Sequence, residues 1–241
     1  MLIKSPALIL GLLKYNERTS IVHLFTEVMG SVSLLTPAPK AQHFGRKTAL
    51  LQPLNQVVVE WNHNEKHGLS YLRNINCTYT YTSLHNDFYK VAIKSFLCEF
   101  LYYALRNERQ GNPLFAYICS SLQWLDTANM QYSNFHIVLQ IRIAQFLGIL
   151  PNLRKCPTKN FFDFRNGCYT TLQPLHNEYL RGPEAFFVRS LTKINIYNMS
   201  HFKFTSSQRT KILETINNYY CIHIPSFPQL KSIEILREVF S

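Results

Sequence analysis

Apolar and polar positions alternate with a period of two along the first third of the chain. Ala7–Lys14, Ser20–Glu27 and Ser31–Thr36 each read as a strand. In the second, Ile21, His23 and Phe25 face one way while Val22, Leu24 and Thr26 face the other. Val28-Met29-Gly30 offers a short turn whose glycine is free to take positive φ, which predicts a hairpin of the second and third strands. Pro37 and Pro39 then stop the pattern. Gln56–Trp61, with its three valines, reads as a fourth strand and Ile75–Thr82 as a fifth. In the fifth, Ile75, Cys77, Tyr79 and Tyr81 are expected to face the core and the intervening Asn and Thr residues to face out. Five short strands in so few residues predict a small closed barrel of the oligonucleotide-binding (OB) type.

From Asn86 the period lengthens towards 3.6. Phe88–Arg106 is apolar around most of its girth, as a central helix would be. Asn112-Pro113 restarts the chain into a helical stripe of Leu114, Ile118, Leu122 and Leu125. A third helix over Asn134–Gly148 ends at Gly148 and Pro151. Residues 152–182 show no clear period and read as a loop or small substructure. Pro183 opens another helix, Thr205 and Gln208 form a capping box ahead of the next, and Leu230, Ile233, Leu236 and Phe240 mark the last. The fold class is therefore α+β, an OB-type domain over 1–82 followed by an all-helical domain over 83–241, with the boundary near 82–86.

Charge sharpens this picture. The 25 Lys and Arg against 14 Asp and Glu give a net charge of +11, which favours a polyanionic partner. The surplus is spread over both domains: residues 1–82 hold 8 basic and 4 acidic residues, and the rest hold 17 and 10. At 46% hydrophobic and 14% aromatic the chain can bury a real core, so global disorder is excluded. The apolar run Ala7–Leu13 is too short to span a bilayer and lacks a cleavage site, so no membrane association is expected. Six cysteines without a C-x-x-C pair, most of them in apolar runs, point to a reducing cytoplasm rather than a disulfide framework.

A single-strand site on an OB barrel needs cations for phosphates and rings for bases. The segment Lys40–Lys47 supplies Lys40, Arg46 and Lys47. The turn Tyr15–Thr19 supplies Arg18 and Tyr15, and the connection Asn62–Asn74 supplies Lys66, Arg73 and Tyr71. Arg18, Lys40, Arg46, Lys47 and Arg73 are the candidate phosphate contacts, and Tyr15 and Tyr71 the candidate stacking platforms. Catalytic chemistry has no comparable footing. There is no G-x-S-x-G elbow, no P-loop and no distinctive pair of carboxylates. His63-Asn64-Glu65-Lys66-His67 does not match the metalloprotease pattern, which needs Glu directly after the first His. Cys156, Cys168 and His176 lack the close pairing of a structural zinc site.

The opening ALILGLLKYNERTSIVHLFTEVMGSVSLLTPAPK resembles that of the bacterial recombination mediator family RecO, on Tyr15, Glu17, Thr26, Glu27, Gly30 and Lys40. FLGILPNL at 146–153 is similar to that family's Leu-Gly-x-x-Pro-x-Leu element, and LKSIEILREVF at 230–240 to its terminal helix. The resemblance implies an OB domain followed by a helical domain. It also implies binding to single- and double-stranded DNA, annealing of complementary strands, and loading of recombinase in DNA repair and recombination (the RecFOR pathway). The partners it implies are RecR, the acidic C-terminal tail of single-stranded DNA-binding protein and, indirectly, RecA, in the cytoplasm at the nucleoid. Many members carry a four-cysteine zinc site after the Leu-Gly-x-x-Pro-x-Leu element. This sequence keeps Cys156 without its close partner, so no zinc or other cofactor is expected. Two other readings share these features: an OB protein that binds RNA, and an adaptor whose helical domain docks proteins while the barrel is a scaffold.

Overall fold

The computed structural model describes residues 1–38, 48–63, 69–109, 111–153 and 161–240. They fall into two compact units, Met1–Thr127 and Ala128–Ser241.

In the first unit, strands β1 (Leu2–Lys14), β2 (Thr19–Thr26), β3 (Gly30–Pro37), β4 (Gln56–Asn62) and β5 (Ser70–Tyr79) close into a barrel of order β1-β2-β3-β5-β4. The long β1 makes closure possible. Its second half pairs with β2 (Leu13↔Ile21) and its first half with β4 (Ile3↔Trp61). Alternation places Ile9, Val22, Leu34, Val59, Trp61 and Ile75 inside. The β2–β3 hairpin turns at Gly30, whose φ of 65° is easy only for glycine. β3 and β5 meet in parallel over two pairs alone, Leu34↔Ser70 and Leu35↔Tyr71.

Strand β5 starts and ends five and three residues earlier, respectively, than its alternation predicts, with two consequences. Cys77 keeps the face of its core partner Val57 but is exposed, because β5 has lost β3 as a neighbour by that point. Tyr79 and Tyr81 lie beyond a register shift at Gln56/Val57 and do not face the barrel core. The buried Tyr81 hydroxyl instead donates to Leu54 O (2.9 Å) and accepts from Gln56 Nε2 (2.9 Å).

Helices α1 (Phe88–Leu105) and α2 (Asn112–Thr127) complete this unit, so the compact division falls at Thr127 rather than at the change of period near 82. Two polar links explain it. Gln56 donates to Cys119 O (3.1 Å) and accepts from Gln123 (2.8 Å). Buried Asp126, at the end of α2, accepts from the backbone N–H groups of Thr82, Ser83 and Leu84 at 2.7–3.1 Å, while Lys90 Nζ donates to its carbonyl at 2.8 Å. Removing α1 and α2 would strip Gln56 and the N–H groups of residues 82–84 of these partners.

The second unit is not entirely helical. Helices α3 (Phe135–Phe146), α4 (Gly182–Leu191), α5 (Ser206–His223) and α6 (Ser232–Val239) accompany a small sheet of β6 (Phe161–Asp163), β7 (Cys168–Thr170) and β8 (Tyr179–Arg181), in the order β7-β6-β8. The Thr205/Gln208 capping box expected from the sequence is present. The Tyr220 hydroxyl donates to Gln140 O (2.7 Å), tying α5 to α3. Phe162, Phe164, Tyr169 and Tyr219 form a separate aromatic core beneath the sheet. No helix among the described residues is long and apolar enough to cross a membrane.

Candidate nucleic-acid interface

The outer face of the barrel is divided between covered and open parts. At one end Leu8, Leu10 and Phe25 are buried, with the Phe25 ring 6.4 Å from Phe115 of α2. Next along, Gly11 pairs with His23, and Tyr102 of α1 meets the His23 ring edge to face at 5.3 Å. His23 Nδ1 also bonds Ser33 Oγ (2.9 Å), and burial lowers its pKa, so the ring is neutral near pH 7.

The other end is open. Cross-strand partners share a face, so the registers Leu13↔Ile21, Ile21↔Leu35 and Leu35↔Tyr71 lay an apolar stripe across β1, β2, β3 and β5. Leu13 is 56% exposed and Tyr71 62% exposed, an unusual degree for large apolar groups on a sheet. Exposed Arg73 stands two residues beyond Tyr71, at the bulge where β5 shifts register against β4. At the opposite edge β1 ends in exposed Lys14, followed by the turn that carries Tyr15, Glu17 and Arg18.

That turn is built by Asn16. Its Oδ1 accepts from Arg18 N (2.9 Å) and Thr19 N (2.7 Å), while Tyr15 N and Asn16 N both donate to Thr19 O. The local bonds fix the backbone and leave the Tyr15 ring, 64% exposed, and the Arg18 guanidinium outside. Ala38 N donates to Arg18 O (2.9 Å), so the chain enters the basic segment from beside Arg18.

Of the seven residues expected at the site, the structure places four on this surface. Arg18 and Tyr15 occupy the turn as predicted. Tyr71 and Arg73 belong to strand β5 rather than to a loop, because alternation begins at Ser70, with Leu72 opposite Trp61. Lys40, Arg46 and Lys47 lie outside the described residues, as does Lys66. Lys4 on β1 is paired with Glu60 at 3.1 Å and adds little free positive charge.

Two family models match the chain. The model described as "Recombination protein O N terminal" matches residues 1–81, and "Recombination protein O C terminal" matches 85–232. The chain belongs to the RecO family. Among similar proteins, the DNA repair protein RecO of Phocaeicola vulgatus is 37% identical over 241 residues, covering 100% of both chains. That of Bacteroides fragilis is likewise 37% identical over 241 residues, and that of Flavobacterium johnsoniae 29% over 242, again at full coverage. RecO membership makes the stripe part of a DNA repair and recombination protein, with the OB-type barrel as its N-terminal domain.

The four-cysteine zinc site that the resemblance implies would begin at Cys156, ahead of the small sheet. Here Cys156 lies outside the described residues, and Cys168 on β7 sits opposite Asp163. Among the described residues no group of three or more His, Cys, Asp or Glu side chains comes together to hold a metal. What the sheet does have is an ionic clasp. His176 reaches Asp163 (3.3 Å) and Glu178 (3.2 Å), and Arg165 pairs with Glu178 at 3.0 Å. Burial raises the Asp163 pKa, but hydrogen bonds from Asn166, followed by the His176 charge and the Arg165 N–H, leave it net lowered.

Sequence reasoning missed one surface in the helical domain. Between α4 and α5 an apolar groove of about 210 Å³ is lined by Leu180, Pro183, Phe187, Leu191 and Ile212, with Lys211 and Glu184 paired at its edge. Its members come from two separate stretches of chain, so no local pattern marks it.

Proposed function

We propose that this RecO-family protein binds single- and double-stranded DNA across the open barrel face and anneals complementary strands. It would also help load recombinase onto DNA coated by single-stranded DNA-binding protein. The observation that carries this is the stripe Leu13–Ile21–Leu35–Tyr71, flanked by Arg73 at one end and by Lys14 and Arg18 at the other. Rings and aliphatic groups take bases, and cations on both flanks take the backbone as it enters and leaves. Annealing requires no bond to be made or broken within a nucleotide, so the role needs no catalytic residue and no cofactor. A net charge of +11 lowers the repulsion between two strands by releasing their counterions.

RecR, the acidic tail of single-stranded DNA-binding protein and, indirectly, RecA are the partners in this reading, with the cytoplasmic nucleoid as the place of action. The α4–α5 groove supports the tail assignment. It offers apolar walls with Lys211 at the edge for a terminal carboxylate, and Glu184 competes for that same lysine.

Fluorescence anisotropy of labelled single-stranded DNA across a salt series, with annealing measured on the same sample, tests the central claim. Tyr71→Ala should weaken binding by about 1–3 kcal/mol with an unchanged salt slope. Arg18→Glu with Arg73→Glu should flatten the slope by about two. Full affinity and slope in a folded variant with all three substitutions would remove the stripe from the DNA path.

A further inference from the structure

The barrel has a second opening beside the stripe. Because β3 and β5 pair only at Leu34↔Ser70 and Leu35↔Tyr71, the first half of β3 borders a cleft of about 410 Å³ rather than another strand. Trp61 lines it. Its side chain is 0% exposed, and its indole N–H has no hydrogen-bond partner among the described residues. An indole nitrogen can only donate. The same cleft is lined by His63, Ser31, Ser70 and the exposed Arg109, with Met29 and Leu69 as apolar walls. Among the described residues no carboxylate lines the cleft.

The position of Arg109 is built into the fold. A Cβ on Gly30 would lie 2.4 Å from Glu108 O, and one on Gly111 would lie 2.2 Å from Thr26 O. Ser31 N donates to Glu108 O at 2.7 Å. Two bare glycines therefore let the α1–α2 connection lock onto the tip of the β2–β3 hairpin, and this lock holds Arg109 at the cleft.

A cation, donors and apolar walls call for a ligand that is anionic, rich in acceptors and partly flat. A cavity of this volume holds one such small group. We propose that the cleft receives a single nucleotide turned out of the stack of a bound single strand. Its phosphate meets Arg109, its base sits among Met29, Leu69 and His63, and a base acceptor takes the Trp61 N–H. The proposal rests on the DNA-binding reading above and extends it: Tyr71 on the stripe and Ser70 at the cleft are adjacent residues, so a strand crossing Tyr71 arrives at the opening.

The chain has two tryptophans, so Trp124→Phe leaves Trp61 as the sole tryptophan, excited selectively at the red edge where tyrosine does not absorb. This protein is titrated with an oligo-dT strand, with dTMP and with inorganic phosphate, and Trp61 emission is read alongside anisotropy of the strand. The strand should quench Trp61 along the binding isotherm, whereas dTMP and phosphate should need far higher concentrations. Arg109→Ala should weaken strand binding on the order of tenfold and lower the salt slope by about one. Ser31→Phe, which fills the cleft, should abolish the quench. Strand binding at full affinity in both variants with Trp61 emission unchanged overturns the cleft and leaves the DNA reading intact. dTMP binding as tightly as the strand overturns the strand-borne nucleotide in favour of a free one. Failure of the strand to bind at all overturns both readings.

Discussion

Replacing Asp126 by Asn removes one charge and one acceptor from the point where α2 grips the chain leaving β5. In the native protein its carboxylate is 2% exposed, and it receives the N–H groups of Thr82, Ser83 and Leu84, the Thr82 hydroxyl and the Tyr79 hydroxyl. Burial alone would raise its pKa, but the backbone N–H groups of Thr82, Leu84 and Ser83 more than offset this and hold it at about 2, against an ordinary 3.8. At about 1.4 kcal/mol per pH unit, that difference corresponds to about 2 kcal/mol of stability. Asn keeps one acceptor oxygen but turns an N–H₂ towards a cluster of donors, which brings the expected loss to about 2–3 kcal/mol. For a unit of this size the midpoint of thermal unfolding should fall by roughly 5–12 °C. Both tryptophans, Trp61 and Trp124, lie in the first unit, so their emission follows this unit without contribution from the second. The sign of the pH dependence follows from the lowered pKa. The stabilisation is fully present above about pH 4 and is lost as pH falls from 3.8 towards 2, so wild type and variant should converge there. A variant within 0.5 kcal/mol of wild type at neutral pH, or a difference that persists unchanged to pH 2, would refute the anchoring role.

Gly30→Ala forces a Cβ to within 2.4 Å of Glu108 O at a φ of 65° and should cost about 3 kcal/mol or more, whereas Gly148→Ala, at φ 72° with no atom within 4 Å, should cost only about 1–2 kcal/mol; urea denaturation distinguishes the two. Glu184→Ala frees Lys211 and should tighten binding of an acidic peptide tail a few-fold by calorimetry, and an unchanged affinity would place the tail elsewhere. Charge reversal of Arg46 and Lys47 together should weaken single-strand binding and flatten its salt slope by about two, whereas an unchanged slope in a folded double variant would remove that segment from the contact. Treatment with a chelator should leave the thermal midpoint unchanged, and a drop of several degrees would reveal a structural metal.

Which features could be read in the sequence depended on how far apart the interacting residues lie. The β2–β3 hairpin was legible because Ile21–Thr26 alternates strictly and Gly30 follows at turn distance, and the Thr205/Gln208 cap because its partners are three residues apart. The start of β5 was not, since Tyr71 and Arg73 look like loop residues until Leu72 is seen to meet Trp61 across the ladder. Strands β6, β7 and β8 have three residues each, too few for alternation to register. Asp126 gave no local sign of its role, because its partners lie more than forty residues earlier in the chain. The position of Arg109 depends on the meeting of Gly30 and Gly111, which only the folded hairpin brings about.

The two-pair β3–β5 seam bears on how the barrel breathes. Every other junction in the closed sheet is a ladder of six or more pairs, so local opening is cheapest where Leu34 and Leu35 meet Ser70 and Tyr71. Amide protons along this seam should exchange with solvent well ahead of those in the β1–β2 and β2–β3 ladders. A bound strand that bridges the seam would slow that exchange and raise the unfolding temperature of the whole unit, so protection of a handful of amides becomes a direct gauge of occupancy.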